Sequence, residues 1–216
     1  NLIRVRLSMN YFRYDNLLLL RREVCLKKTS KGGRKMLNNF LLKPLKETDL
    51  RTVLTWRNSE RMKQHMYTNH TITWKEHLDW FKRVKNDPHT KIFLLYNKNQ
   101  PLGLVNFKQI DLKNSRCYWG FYIGEENAPK GSGTIMGLLA LDYIFHEIGL
   151  HKVCAEVIET NERSYFYHQK LGFETEGRFK QHLWKDDRFI DVISFALFAD
   201  KWKKVRESLL QKIEGA

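Results

Sequence analysis

Two short segments have residue types and a spacing that suit the recognition of a phosphorylated ligand. The first is the loop 128–134, APKGSGT, in which Gly131 and Gly133 precede an apolar helix. Glycines let backbone N–H groups approach an anion closely, and a helix start adds the positive end of its dipole. Lys130 contributes a positive charge to the same loop. This pattern predicts a phosphate-binding turn, for which a plain glycine turn before a core helix is the alternative.

The second segment lies downstream and is the run 161–173, NERSYFYHQKLGF. Asn161 suits the N-cap of a helix that ends at Gly172, after which Phe173 opens a strand. The helix carries Tyr167 and His168, two side chains that are able to exchange protons. A glycine loop that opens one helix, followed by a strand–helix–Gly-Phe unit, is a more specific signal than either part alone.

The elements that must position these segments follow from hydrophobic periodicity, turn residues and a capping box at Thr73 and Glu76. Strands are predicted over 40–45, 91–96, 102–110, 116–123, 151–158, 173–184 and 188–197. Helices are predicted over 49–58, 59–66, 73–85, 133–148, 162–171 and 200–213. Such an order is typical of a mixed α/β sheet with helices on both faces.

Together the two segments resemble the acetyl-CoA site of the GCN5-related N-acetyltransferase (GNAT) family. The resemblance implies an α/β fold with a single mixed central β-sheet of about seven strands and helices on both faces. It also implies acetyl-CoA as the acetyl donor, direct transfer in a ternary complex and no metal. The chain departs from the family's Arg/Gln-x-x-Gly-x-Gly/Ala pattern at Ala128. The residues carried over to the donor site are Phe121, Tyr122 and Ile123 along the pantetheine arm, Lys130, Gly131, Ser132, Gly133 and Thr134 at the phosphates, and Asn161, Ser164 and Lys170 on the second helix.

The same resemblance assigns the proton transfers. Many members of the family have a tyrosine where His168 stands, and its hydroxyl protonates the departing thiolate; His168, with Tyr167 beside it, is expected to take that role. The attacking amine must lose a proton, and Glu156 and Glu159 are the candidate bases. Alternation along a strand puts these two carboxylates on opposite faces, so only one reaches the cleft. Glu156 is favoured because its neighbours in the strand are apolar.

A third set of residues resembles, within this family, the N-acetyltransferases of the pseudaminic acid pathway. The resemblance covers about residues 40–200 and includes the runs 66–70, MYTNH, and 74–81, WKEHLDWF. Such enzymes acetylate the 4-amino group of a UDP-linked amino-dideoxy sugar, which serves flagellin or surface-glycan modification. The residues carried over to this nucleotide-sugar site are Arg57, Met66, Tyr67, His77 and Asn106, with His77 as a further candidate base.

Composition favours one globular domain, since the chain has 216 residues of which 42% are hydrophobic. Residues 1–35 hold ten Lys and Arg against Asp15 and Glu23 and so carry +8 of the net charge of +14. We interpret them as a basic N-terminal extension, non-native or disordered, ahead of a GNAT domain over 36–216; an ordered basic arm is the alternative. No apolar run has the length of a membrane span and no secretory signal is recognisable, which predicts a cytoplasmic protein without a membrane partner. A homodimer is left open.

Three other functions compete with a nucleotide-sugar acetyltransferase. The nearest is acetylation of a protein N-terminus or a ribosomal protein, which uses the same core. A polyamine or aminoglycoside acceptor is weaker, because such pockets carry more acid than these segments do. A basic nucleic-acid-binding module is the alternative from another class, but it rests mainly on residues 1–35 and lacks any finger, helix-turn-helix or RNA-binding motif, so nucleic acid is not the favoured partner.

Overall fold

A computed structural model describes residues 37–214, in which seven strands form one sheet in the order β1-β2-β3-β4-β5-β7-β6. All neighbouring strands are antiparallel except β4 and β5, which are parallel. The strands are β1 (Phe40–Pro44), β2 (Lys91–Asn97), β3 (Gln100–Asp111), β4 (Arg116–Ile123), β5 (Lys152–Ile158), β6 (Glu174–Lys185) and β7 (Arg188–Phe198). The prediction of a single mixed sheet of seven strands is confirmed.

Within residues 37–214, six α-helices connect and cover the strands: α1 (Leu50–Asn58), α2 (Glu60–Lys63), α3 (Trp74–Lys85), α4 (Ser132–Asp142), α5 (Glu162–Lys170) and α6 (Ala199–Glu214). The predicted capping box is present at the start of α3. There the Thr73 hydroxyl accepts from the N–H of Glu76, and the Glu76 carboxylate accepts from the N–H of Thr73. This reciprocal pair satisfies two N–H groups that have no partner inside the helix, which fixes where α3 begins.

The two faces of the sheet bury cores of different size. On one face, α4, α5 and α6 pack on a large cluster that includes Phe107, Trp119 and Phe195. On the other face, α1 covers a smaller cluster that includes Val53, Trp56 and Leu104. Helices therefore lie on both faces, as predicted. Because α1 covers only part of its face, the remaining polar side chains of β3, β4 and β5 on that side are open to ligands.

Two elements differ from their predicted form. The helix expected over 133–148 is α-helical only to Asp142 and continues as a wider π-helical turn over Tyr143–Glu147. The second short helix, expected over 59–66, ends at Lys63, and the segment 64–73 is a loop. Among the described residues, no helix combines the length and the apolar character that crossing a membrane requires. The basic extension predicted for residues 1–35 lies outside the described residues.

Candidate active site

The parallel strands β4 and β5 separate along their length. They pair only where Arg116, Cys117 and Tyr118 face Lys152, Val153 and Cys154. Beyond that point β4 remains paired with β3 as far as Ile123, and β5 remains paired with β7 as far as Ile158. The second half of each strand therefore turns an unpaired edge toward the opening. A peptide-like arm is able to bind there as an added strand, along the predicted residues Phe121, Tyr122 and Ile123.

The glycine loop lies at the start of α4, next in the chain after β4. Gly131 is the N-cap with a φ of 91°, a left-handed conformation that favours glycine, and a side chain built there meets no atom within 4 Å. The Ser132 hydroxyl donates to the Pro129 carbonyl at 2.6 Å, which holds the turn closed. The first N–H groups of a helix lack intrahelical acceptors, so this exposed turn is able to bind phosphate oxygens.

The end of α5 adds a positive charge to the same turn. The Nζ of Lys170 donates to the Thr134 hydroxyl at 2.8 Å, which links the last turn of α5 to the first turn of α4. At its other end, α5 is capped by Asn161, whose side-chain oxygen accepts from the N–H of Ser164 at 3.1 Å. The donors of the glycine loop and Lys170 suit a pyrophosphate, and Asn161 at the start of α5 offers an amide that suits the pantetheine arm.

His168 lies in the core and not at the opening. It is 3% exposed, its Nε2 accepts from the indole N–H of Trp119 at 3.2 Å, and its Nδ1 donates to the Ser164 carbonyl at 2.7 Å. Burial lowers the pKa of His168 to about 4. A neutral imidazole with both nitrogens engaged has no proton to give at neutral pH. This environment argues against the proton-donor role expected for His168.

The Tyr167 side chain also packs between α5 and α4. Its hydroxyl donates to the Gly133 carbonyl at 2.5 Å, and its ring lies 4.6 Å from that of Phe121. Burial raises the pKa of Tyr167. The side chain therefore fixes the distance between the glycine loop and α5, and its geometry supports positioning of the donor site more than proton transfer.

Of the two candidate bases, Glu156 faces the open side of the sheet. Its carboxylate accepts a 2.7 Å hydrogen bond from the hydroxyl of Tyr67, which lies in loop 64–73. Burial raises the pKa of Tyr67, and the hydrogen bond to Glu156 raises it further. Glu159 is occupied elsewhere, because it forms an ion pair with Arg178 and accepts from the N–H of Asp191. This geometry agrees with the expectation that only one of the two carboxylates, that of Glu156, reaches the cleft.

Three cationic side chains surround the same open side. Arg57 on α1 donates through Nη2 to the carbonyl and the hydroxyl of Thr68, at 3.2 and 2.7 Å, while its Nη1 is buried without a hydrogen-bond partner among the described residues. Burial lowers the pKa of Lys108 and of Lys185, and the charge of Arg57 lowers both further. Lys108 lies on β3 opposite Tyr118 of β4. The Asp186 carboxylate acts in the opposite sense on Lys185 and raises its pKa, so this side of the sheet carries the cations Arg57, Lys108 and Lys185 together with the carboxylates of Asp186 and Glu156.

The other predicted acceptor residues are divided between the cleft and the core. Asn106 lies opposite Gly120, and alternation along β3 places it on the same face as Lys108. Met66 lies in loop 64–73, where its carbonyl accepts from Lys185 at 2.7 Å. His77 instead is buried on α3 with its ring stacked 5.0 Å from Trp80, and burial lowers its pKa. Its Nε2 is buried without a hydrogen-bond partner among the described residues, and burial against Trp80 keeps the ring away from solvent, which argues against a role as base.

Lys108 and Lys185 were not among the residues predicted for the site. Lys108 could have been found, because it follows Asn106 by two residues in a predicted strand and so shares its face. Lys185 lies in the run 184–186, WKD, which belongs to the set that carries the resemblance, but nothing in that run assigns it to the site. Its part becomes visible only in the structure, where β6 is an edge strand whose end contacts the end of α2 and the loop that follows.

Comparison with known proteins decides the family. A family model described as an acetyltransferase (GNAT) domain matches residues 39–174. The chain belongs to the GNAT family. It is 25% identical to spermidine N(1)-acetyltransferase of Escherichia coli over 161 residues, which is 74% of this chain and 87% of that protein. It is 28% identical to acetyltransferase PseH of Campylobacter jejuni over 137 residues, which is 63% of this chain and 83% of that protein.

The solved structures agree on the fold. Spermidine N-acetyltransferase from Vibrio cholerae, in complex with CoA and spermine, matches with a TM-score of 0.72 and 21% identity over 77% of this chain and 99% of that one. As a GNAT protein, the chain is an N-acetyltransferase that takes its acetyl group from acetyl-CoA. Within residues 37–214, no three His, Cys, Asp or Glu side chains are grouped as a metal site would need. The matched GNAT region ends at the start of β6, so it omits Lys185.

Proposed function

We propose that this acetyltransferase modifies the amino group of an anionic small molecule, and that the acceptor is a UDP-linked amino-dideoxy sugar. The observation that carries the proposal is the cluster of Arg57, Lys108 and Lys185 on the open side of the sheet, in which Arg57 has an unpartnered Nη1 and Lys108 is exposed, whereas the buried Lys185 adds only its charge. Like charges this close lower one another's affinity for protons, so the cluster is stabilised by an anion bound between them. A diphosphate supplies that anion.

Arg57 is the residue best suited to contact the diphosphate. One side of its guanidinium already holds Thr68, and the buried Nη1 has donors to offer. A charged donor with no acceptor is unfavourable in a buried place, and a phosphate oxygen would remove that penalty. Asn106 and Tyr67 lie on the same side of the sheet and offer an amide and an aromatic ring to the sugar and the base.

Glu156 is the proposed base. The amine must be neutral when it attacks the thioester, and a carboxylate at the opening is able to accept its proton directly or through water. Tyr67 donates to this carboxylate and so fixes its orientation. Arg57 and Lys108 then hold the far end of the acceptor, while the opening between β4 and β5 holds the donor. Rate enhancement would come largely from positioning the two substrates together.

Polyamines are the acceptors named for several relatives, and the charge of this site argues against them here. Spermidine is a cation, and three clustered cations would repel it, whereas they attract a nucleotide-sugar. The similarity to acetyltransferase PseH, at 28% identity, agrees with the anionic acceptor without identifying it. A cytoplasmic location, a homodimer and a part in surface-glycan synthesis stay predictions from the sequence.

A test of the proposal measures release of CoA thiol from acetyl-CoA by the full chain with single acceptors. The set contains a UDP-4-amino-4,6-dideoxy sugar, its 4-hydroxy analogue, spermidine and a peptide with a ribosomal-protein N-terminus. We expect turnover with the UDP-amino sugar and none with its hydroxy analogue, which lacks the nucleophile. Faster turnover with spermidine or the peptide would overturn the acceptor assignment and leave the donor site intact.

A further inference from the structure

Lys185 is a buried lysine at the end of β6. The residue is only 6% exposed, although lysine is seldom buried unless its charge is satisfied. Its ammonium donates to three carbonyl oxygens at the end of α2 and in the loop that follows it: Lys63 at 3.2 Å, Gln64 at 2.6 Å and Met66 at 2.7 Å. Three donors with three acceptors use the full capacity of the ammonium. Lys185 therefore has no donor left for a substrate.

The segment held by Lys185 is loop 64–73, which has no regular secondary structure. The N–H groups of residues 64–66 bond to carbonyls of α2, and side chains hold the rest of the loop. Asn58 makes two hydrogen bonds with the backbone of Ile72, at 2.8 and 2.9 Å, and Arg57 holds Thr68. Tyr67 lies between the attachment of Lys185 and that of Arg57. The position of its hydroxyl against Glu156 thus depends on contacts made by its neighbours in the chain.

We propose that Lys185 is a positioning residue of the acceptor site, which acts through loop 64–73 to hold the Tyr67 hydroxyl against the Glu156 carboxylate. This proposal depends on the proposed function only for the identity of the acceptor. It assigns to the β6–β7 hairpin a part in the acceptor site. A second contact supports this, because the Asn69 amide of the same loop lies 3.5 Å from the Asp186 carboxylate at the tip of that hairpin.

The geometry explains why a lysine performs this task. The three carbonyls converge on one point, and a compact ammonium with three rotatable donors matches them, whereas a planar guanidinium does not. Removal of the ammonium takes the donor from the Gln64 and Met66 carbonyls at a partly buried place, while the Lys63 carbonyl keeps the N–H of Met66. The loop would then move outward to reach water, because unsatisfied buried acceptors are unfavourable. Tyr67 would move with it.

The first test observes Tyr67 directly and needs no acceptor. 3-Fluorotyrosine is incorporated at position 67 of the full chain, and its ¹⁹F resonance is recorded for four proteins. The four are the unaltered protein, Glu156→Ala, Lys185→Met and Lys180→Met. Glu156→Ala gives the signal of the Tyr67 hydroxyl without its carboxylate partner. Lys180→Met changes an exposed lysine of β6 and is the matched control for Lys185→Met. We expect Lys185→Met to shift the resonance toward the Glu156→Ala position and Lys180→Met to leave it unchanged. A wild-type signal in Lys185→Met overturns the proposal.

The second test is kinetic and uses the UDP-4-amino-4,6-dideoxy sugar. Lys185→Met is expected to raise the KM for this acceptor about tenfold, the effect of losing a charged hydrogen bond, with the KM for acetyl-CoA unchanged. Lys185→Arg should recover little of the loss, because a planar guanidinium keeps the charge but does not match the converging carbonyls. In the double variant of Lys185→Met and Tyr67→Phe, the KM for the acceptor should rise by less than the product of the two separate rises, because Lys185 acts through Tyr67.

The outcomes separate this proposal from the proposed function. If the unaltered enzyme does not use the nucleotide-sugar, the proposed acceptor fails, while the ¹⁹F comparison still tests Lys185. If Lys185→Met raises the KM of both substrates in parallel and lowers the unfolding temperature, with a wild-type ¹⁹F signal, Lys185 is only structural. The proposal would also be overturned if the rise in the acceptor KM of the double variant equalled the product of the rises in Lys185→Met and Tyr67→Phe.

Discussion

The donor half and the acceptor half of this active site are held in place by different means. The donor half consists of the edges of β4 and β5, the turn at Gly131 and the start of α5, and backbone hydrogen bonds and helix caps fix it. The acceptor half is loop 64–73, which the side chains of Arg57, Asn58 and Lys185 attach to other elements. Secondary structure thus positions one substrate, and single side chains position the other.

This difference has a consequence for how the site responds to mutation. A helix cap or a strand edge is supported by many cooperative contacts, so few changes displace the donor half. Each side-chain attachment of loop 64–73 involves two or three hydrogen bonds from one residue, so one substitution is able to move the acceptor half alone. Acceptor specificity can therefore change while acetyl-CoA binding and the fold persist.

The largest expected effect is that of Glu156→Gln, which tests the chemistry where the two halves meet. Loss of the base should reduce turnover about 10²- to 10⁴-fold at neutral pH, with acetyl-CoA affinity unchanged. Initial rates and calorimetric titration with acetyl-CoA measure the two quantities. Glu159→Gln is the control, because its carboxylate pairs with Arg178. A greater loss of turnover in Glu159→Gln would reverse the assignment of the base.

The next effect tests the backbone of the donor half. Gly131→Val places a branched side chain at a φ of 91°, where the turn must distort, and fills the space in front of the first N–H groups of α4. Acetyl-CoA affinity should fall about 100-fold or more, since both strain and obstruction act on phosphate binding. Calorimetric titration of the variant with acetyl-CoA gives the affinity.

Gly149→Val is a matched control for that strain. Gly149 also has a positive φ, of 77°, and a side chain there likewise meets no atom within 4 Å, but it precedes β5 at the far end of α4. We expect a similar loss of folding stability and normal acetyl-CoA affinity. Equal affinity losses in both variants would mean that Gly131 acts through stability and that the phosphates bind elsewhere.

A smaller effect tests the charge of the acceptor half. Lys108→Gln removes one cation of the cluster and should raise the KM for the UDP-amino sugar about tenfold, a typical value for one charged contact. The KM for acetyl-CoA should not change. Lys98→Gln, in the turn between β2 and β3, is the control. A fall in acceptor KM in Lys108→Gln would indicate a cationic acceptor instead.

The same contrast explains what could be predicted from the sequence. The capping box at Thr73, the glycine turn at Gly131 and the cap at Asn161 are local patterns, and the structure has each of them at the predicted place. The contribution of Lys185 depends on which strands are neighbours, information that no short segment contains. The role expected for His168 followed from its register in a motif, but the register does not reveal that Trp119 and Ser164 occupy both of its nitrogens.

The smallest effect on turnover is expected for His168→Phe, a change that separates stability from chemistry. A phenyl ring preserves the stacking on Phe195, so turnover at pH 7 should stay within about threefold of the unaltered enzyme, a change of less than 1 kcal/mol. Stability should change more, since the Ser164 carbonyl and the Trp119 indole lose their partner. Initial rates and urea unfolding measure the two, and a loss of turnover by a factor of hundreds at full stability would restore His168 as the acid.

The pH dependence of stability sharpens that test. Folding lowers the pKa of His168 from 6.5 to about 4, so between these values the unfolded chain binds a proton that the folded protein does not. Stability therefore falls as pH decreases through this window, by about 2 kcal/mol between pH 7 and pH 5 for this one group. In His168→Phe that contribution disappears, so its unfolding free energy should depend less on pH. An identical pH dependence in the two proteins would mean that folding leaves the pKa of His168 near 6.5, so that an imidazolium able to protonate the thiolate would be accessible close to neutral pH.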